Sequence, residues 1–457
     1  MDTPLPPRTE PLPLRILRIA LLAFLSLAGA LLIALVLACL SPALQGAIAD
    51  LLGVPFNAHP FRGVGEVTLA AILLGPIVLM AAGLLFLAWA LRQTSWSRVA
   101  AGFVLLVGVL AYLGHDEPAF TRPVRFQDPS EATPEARESF AAFMRYGRQQ
   151  PLGKEFKEPA FTEPYPRWSP DDAAKWRSTV TAHRADFAAH AASLAPALAW
   201  WRDLDRFSRI GDLTAPDPHS DIPAFQVLRS LSQHAIATAS LQAIDGHGDQ
   251  AIDTVLPLIT VSLKLQPDSR TLVRPMIAIV IERLALQTAG FILDTTPVSP
   301  AARARLLDAV KGSDPVPGAR SLMERDYAFS LLAVAPKPAG EIFMYDDSLE
   351  RHPWLRALLN AASPVLYNPH ATFNAYGRLV GDLQDEAAVR DFAGMEKRFA
   401  TFVSVDTAPR PKNFMGLLLI RSMVPATVKV AENYWRAQDL RAALAKRLEQ
   451  PQRPPPA

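Results

Sequence analysis

LQAIDGHGDQAIDTVLP, residues 241–257, is the stretch on which the reading of this chain turns. A histidine between two glycines with an aspartate behind it suits a metal ligand, a loop that cradles phosphate, or a bend in the chain. The flanks favour the bend. Upstream, Leu228, Leu231, Ala235, Ala239 and Ala243 recur at spacings of three and four, which is one face of a helix. Gly246 fits the left-handed residue that stops such a helix, and Asp249 fits the cap of the next. Ile252, Val255, Ile259 and Leu263 then make the apolar stripe of a returning helix. GHGD therefore predicts the tight turn of an antiparallel helical pair. His247 sits exposed at its tip.

The same punctuation extends along the chain. Ser169, Pro170, Asp171 and Asp172 read as a cap, a first-turn proline and acids at the positive end of the helix dipole. Ser299-Pro300 and Asn368-Pro369 read as further starts, and prolines 257, 275 and 425 as kinks. No alternating β-branched run is bounded by hairpin turns, so strands should be few. Residues 170–449 are expected to form an all-α, multi-helix body, solenoid-like if hairpins stack. Residues 450–457, QPQRPPPA, read as a disordered tail.

Ahead of the body lies an oily head, residues 1–115. Residues 19–40 carry no charge over 22 positions and residues 67–91 none over 25, each beyond the ~20 residues a helix needs to cross a bilayer. Residues 99–114 give 16 more, which span if Arg98 snorkels and Trp96 and Tyr112 sit in the two interfaces. Arg8, Arg15, Arg18, Arg92 and Arg98 fall on one side and only Arg62 on the other, which puts the N-terminus in the cytoplasm. With three spans the body faces outward, into the periplasm of an inner-membrane protein; with two it stays inside. Between head and body, residues 116–169 are rich in proline and aromatics and should form an extended arm, interrupted by a short helix near 134–147.

Composition narrows the function. Lys plus Arg number 46 against 44 for Asp plus Glu, so the chain lacks the positive excess that binds nucleic acid. Forty-one prolines with abundant alanine and arginine fit a GC-rich bacterial genome. The single cysteine, Cys39, excludes intramolecular disulfides and cysteine-rich metal centres. Its setting in VLAC resembles a lipoprotein signal, against the alternative of a thiol buried in a membrane helix. Phosphate loops, GxGxxG, GxSxG and HExxH are all missing, and no cofactor is expected.

Two clusters could still carry chemistry. His183, Asp186 and His190 stand at i, i+3 and i+7 and could share a metal on one helix side; equally, Trp176, Val180, His183, Phe187, His190 and Leu194 form a packing seam. Asp346, Asp347, Glu350 and His352 gather acids near a histidine, the materials of general acid–base catalysis or of a solvated, capped loop. Trp200-Trp201 with RDLDRF reads as a core edge and salt-bridged surface.

The GHGD pair also resembles one tetratricopeptide repeat over about 40 residues, with small Ala239, Gly246 and Ala251 where that motif packs closely. The resemblance implies a stacked helical hairpin used as a protein-binding surface. The whole chain resembles bacterial membrane-anchored helical proteins, which implies no activity. The function expected is thus a membrane-anchored helical scaffold or interaction module of the bacterial envelope, with the bilayer and another protein or its own kind as partners. The alternative is a membrane-bound hydrolase, metal-dependent if His183, Asp186 and His190 converge.

Overall fold

The structure, a computed structural model, describes residues 96–118, 132–149, 173–217, 225–311, 316–334, 367–402 and 425–450, with a short piece within 11–24 and a few isolated positions. Every described element is a helix and none is a strand, so the all-α expectation holds among the described residues. In chain order they are α1 Trp96–Gly114, α2 Pro134–Gln149, α3 Ala173–Ala182, α4 Arg184–Asp205, α5 Phe225–Ile244 and α6 Gly248–Leu265. They continue with α7 Val273–Thr295, α8 Pro300–Val310, α9 Val316–Val334, α10 Pro369–Ala388, α11 Phe392–Thr401 and α12 Pro425–Glu449.

The chain divides into two units. One comprises residues 1–121, 335–376 and 399–425; the other comprises residues 122–334, 377–398 and 426–457. The second holds the main core. There α5 and α6 pack as the expected pair, α7 lies against both, and α8 closes on α6. Most of the stripe read from sequence is buried: Leu228, Leu231, Ala235, Ala239 and Ala243 of α5 and Ile252, Val255 and Ile259 of α6 lie in the core, with Leu263 partly buried against it. Phe143 of α2 and Trp201 of α4 enter the same cluster. Trp200 packs edge-on against Trp201, and its indole N–H donates to the Ala142 carbonyl at 2.9 Å. Around this pair Arg206 reaches Glu138 at 2.6 Å and Lys264 reaches Asp205 at 2.6 Å, the salt-bridged edge that RDLDRF predicts.

Helix starts follow local chemistry. Ser299 takes an extended backbone, its hydroxyl accepts the Ala302 N–H at 3.2 Å, and Pro300 occupies the first helical position. Among the described residues Pro257 lies inside a helix. Pro275 falls in the first turn of α7, where a missing N–H leaves no bond unmade, and Pro425 is the first described residue of α12.

Among the described residues one helix, Val273–Thr295, is long and apolar enough to cross a membrane, yet 61% of its apolar stretch is buried inside the protein. Burial among helices explains its hydropathy without a bilayer. The spans expected at 19–40 beyond residue 24 and at 67–91, together with Cys39, Phe161, Tyr165 and Trp168 of the arm and residues 451–457, lie outside the described residues. The third apolar run forms α1, which begins three residues before it at Trp96 and exposes Val104, Val107 and Tyr112.

Candidate functional site

The GHGD turn is where the two hairpin helices meet a third element. Gly246 has φ +83°, the left-handed region, and the His247 N–H reaches the Gln242 carbonyl at 2.8 Å while the Gly246 N–H reaches Ala243 at 3.1 Å. Those two bonds satisfy carbonyls at the end of α5 in the Schellman pattern. Asp249 is not the cap of α6, as the sequence suggested: that position falls to His247, whose side chain caps nothing. Asp249 instead accepts the Ser299 N–H at 2.7 Å, tying the first turn of α6 to the start of α8. Hydrogen bonds from Ser299 and the nearby charge of Arg305 hold its carboxyl below the usual range. One turn on, Asp253 and Arg305 pair at 2.6 Å. A methyl group on Gly248 would stand 2.3 Å from the Pro297 carbonyl oxygen, so the second glycine exists for close approach. An open depression of about 500 Å³ lies here, between His247, Asp249, Pro297 and Ser299.

Of the first metal candidate, His183 is described. It interrupts the helix, standing as the N-cap of α4 after α3 ends at Ala182, and its N–H still bonds the Thr179 carbonyl at 3.1 Å. Trp176 and Val180, two members of the seam, are buried, and the Trp176 indole donates to the Ser240 hydroxyl at 3.0 Å. The side chains of Asp186 and His190 lie outside the described residues, as do Asp346, Asp347, Glu350 and His352. No group of three metal-ligating side chains converges among the described residues.

Two buried ionic clusters in the second unit escaped sequence reasoning. In the first, the Arg274 guanidinium donates to the carbonyls of Ile210, Gly211 and Leu265 and lies 3.6 Å from the Asp212 carboxylate. Asp212 accepts the Arg270 N–H at 2.9 Å and the Thr214 N–H and hydroxyl at 3.1 and 2.6 Å. Burial pushes Arg274 down from the usual guanidinium range, offset by Asp212 and Asp268. In the second, fully buried Glu282 accepts both Nε and Nη2 of Arg441 on one oxygen and the Gln266 amide at 2.8 Å on the other. The donors and acceptors engage protein groups, so these clusters clasp elements together.

The first unit gathers a different set at the foot of α10, within residues 367–376. Asp116, just past α1, accepts the N–H groups of His370 and Ala371 at 2.9 Å each and so caps α10 in place of Asn368. The His370 ring sets Nδ1 2.9 Å from the Glu117 carbonyl oxygen. A carbonyl only accepts, so Nδ1 carries a proton, and in the neutral tautomer the ring lone pair lies on Nε2. The side chain is about half exposed, at 48%. Asn374 donates to the Glu117 carboxylate at 2.9 Å and the Pro118 carbonyl at 3.0 Å. Asn413, at φ +58°, accepts the Asn368 N–H and the Thr372 hydroxyl, both at 2.9 Å. The buried Tyr367 hydroxyl has no hydrogen-bond partner among the described residues, and burial with the charge of Asp116 pushes its pKa up.

Sequence reading passed over this set because its parts, HDEP at 115–118 and YNPHATFN at 367–374, lie about 250 residues apart. The available signal was an acid directly after an apolar helix. No protein-family model, curated protein or solved structure matches the chain.

Proposed function

We propose that the chain is a multi-pass protein of a bacterial inner membrane whose helical body, facing outward, serves as an interaction module for another protein or for a second copy. The observation that carries this reading is the packing of α5 to α8, in which α6 packs on α5, α7 on both and α8 on α6, while the buried charge of Glu282 is consumed by Arg441 of α12. A stack of that kind spends its chemistry on rigidity and offers an extended outer face, which is how solenoid-like proteins bind partners. The uncharged runs at 19–40, 67–91 and 99–114 support the anchor, and the arginine asymmetry supports the orientation.

The test has two parts. Alkaline phosphatase fused after residue 130 should be active, and a well-expressed but inactive fusion overturns the outward orientation. A photo-reactive residue at position 247, on the exposed turn, should give one or two discrete adducts in cells. Absence of any adduct there and at two further outer-face positions overturns the interaction reading.

A second reading, a membrane-bound hydrolase, is favoured by one observation: His370 presents Nε2 while Glu117 and Asp116 hold its other side. In it His370 acts as general base. Hydrolysis of a chromogenic ester that His370→Gln abolishes supports it, and activity indifferent to that change removes it.

A further inference from the structure

We propose that Arg283 of α7, with Asn433 and Arg436 of α12, forms a binding site for a phosphate group. Arg283 is half-buried, and its one described hydrogen bond runs from Nη1 to the Asn433 side-chain oxygen at 2.8 Å. Its Nε is buried without an acceptor. Among the described residues no carboxylate lies within ion-pair reach of it. Two buried guanidinium groups of this unit are treated differently: Arg274 faces Asp212 and Arg441 faces Glu282. An uncompensated charge withdrawn from water is costly, and the neighbouring charge of Arg436 adds to that cost. Burial first, and Arg436 second, push the Arg283 guanidinium below its usual range.

On α12 the neighbouring charges are two cations, Lys429 and Arg436, and one acid, Glu432. Lys429, Asn433 and Arg436 stand at i, i+4 and i+7 on α12 and so share a face. Glu432 on the same helix has both oxygens engaged, one by Arg436 at 2.6 Å and the other by Lys429 at 3.3 Å. A ligand with at least two acceptor oxygens would satisfy Nε of Arg283, share Arg436 and relieve the repulsion between the two cations. Guanidinium forks match phosphate in this way. The group could arrive as free phosphate or as the headgroup of an acidic phospholipid, and both present the same oxygens.

The experiment measures thermal unfolding of the full chain in a neutral detergent, with inorganic phosphate titrated against chloride at constant ionic strength. Phosphate should raise Tm saturably by about 4 °C or more through preferential binding to the folded state. Arg283→Met should abolish that rise without lowering Tm in chloride, and Arg436→Gln should weaken it at least tenfold in midpoint. Should Arg283→Met fail to fold, Arg283→Lys stands in: loss of the fork should weaken the midpoint at least tenfold, and an unchanged midpoint overturns the site. Phosphatidylglycerol in mixed micelles, against phosphatidylcholine, repeats the titration. A rise with phosphatidylglycerol alone assigns the site to a headgroup, and a rise with phosphate alone assigns it to a soluble ligand. Equal effects of phosphate and chloride with no lipid effect overturn the proposal, as does a rise that survives Arg283→Met. Glu432→Gln separates the ordinary alternative: if Glu432 neutralises Arg283 in solution, its loss lowers Tm and leaves phosphate without effect, which also overturns the site.

Discussion

Replacing Arg441 by methionine should unfold this protein more readily than any surface change, because it strips the main partner from a carboxylate that has no water to turn to. Glu282 is 0% exposed. One of its oxygens receives both Nε and Nη2 of Arg441, and the other keeps only the Gln266 amide at 2.8 Å. Each hydrogen bond to a charged group contributes about 1.5–3 kcal/mol, and breaking a buried pair from one side costs about 3–5 kcal/mol. Urea titration of the full chain in mild detergent, followed by tryptophan fluorescence, reads this directly. At a slope of about 3 kcal/mol per molar the midpoint should fall by roughly 1–1.7 M. The double substitution Glu282→Leu with Arg441→Met removes both charges and should recover most of the loss, since apolar replacements of a buried pair are commonly neutral or better. A single substitution costing under about 1 kcal/mol, or a double as damaging as the single, refutes the claim that the pair, and not the bulk of Arg441, holds α12 to α7.

The GHGD turn yields paired expectations. Gly248→Ala drives a methyl group against the backbone oxygen of Pro297 and should cost about 1–3 kcal/mol by the same titration. Gly246→Val forces a β-branched residue into φ +83° and should cost about 1 kcal/mol or more, Gly246→Asn less, and His247→Ala almost nothing. Asp249 has a folded pKa below its unfolded value of about 3.9, so its stabilisation is present above that pH and is lost as pH falls through the folded value. A pH series of urea midpoints should therefore show a smaller acid-side loss in Asp249→Asn than in wild type, and identical slopes count against the Ser299 tie. Asp116→Ala should cost about 0.5–2 kcal/mol as a lost helix cap, and Asp116→Asn clearly less.

What sequence revealed of the fold was whatever a single helix can encode. Leu231, Ala235, Ala239, Ile252 and Val255 advertise their burial by spacing alone, because a helix that packs on one side repeats its apolar residues every three or four positions. Gly246 was legible for a local reason too: among common residues glycine best tolerates the left-handed stop. Gly248 looked like part of the same turn, yet its constraint comes from Pro297, half a hundred residues on. Asp249 was misassigned for the same reason. A short acid near a helix start fits capping on local grounds, and only the arrival of Ser299 redirects it.

The same distinction separates the candidate sites. The reading at 183–190 depends on helical phase, and His183 stands at the junction between α3 and α4. The cluster at Asp116, Glu117 and His370 depends on no phase at all. It forms because the first N–H groups of α10 have no partner within the helix and the side-chain oxygen of Asn368, the local residue suited to cap them, makes no bond to them. An acid emerging from α1 fills the gap, and in doing so brings Glu117 to the histidine ring. Chemistry of this kind is specified by which helix end lacks a partner and which distant side chain supplies one.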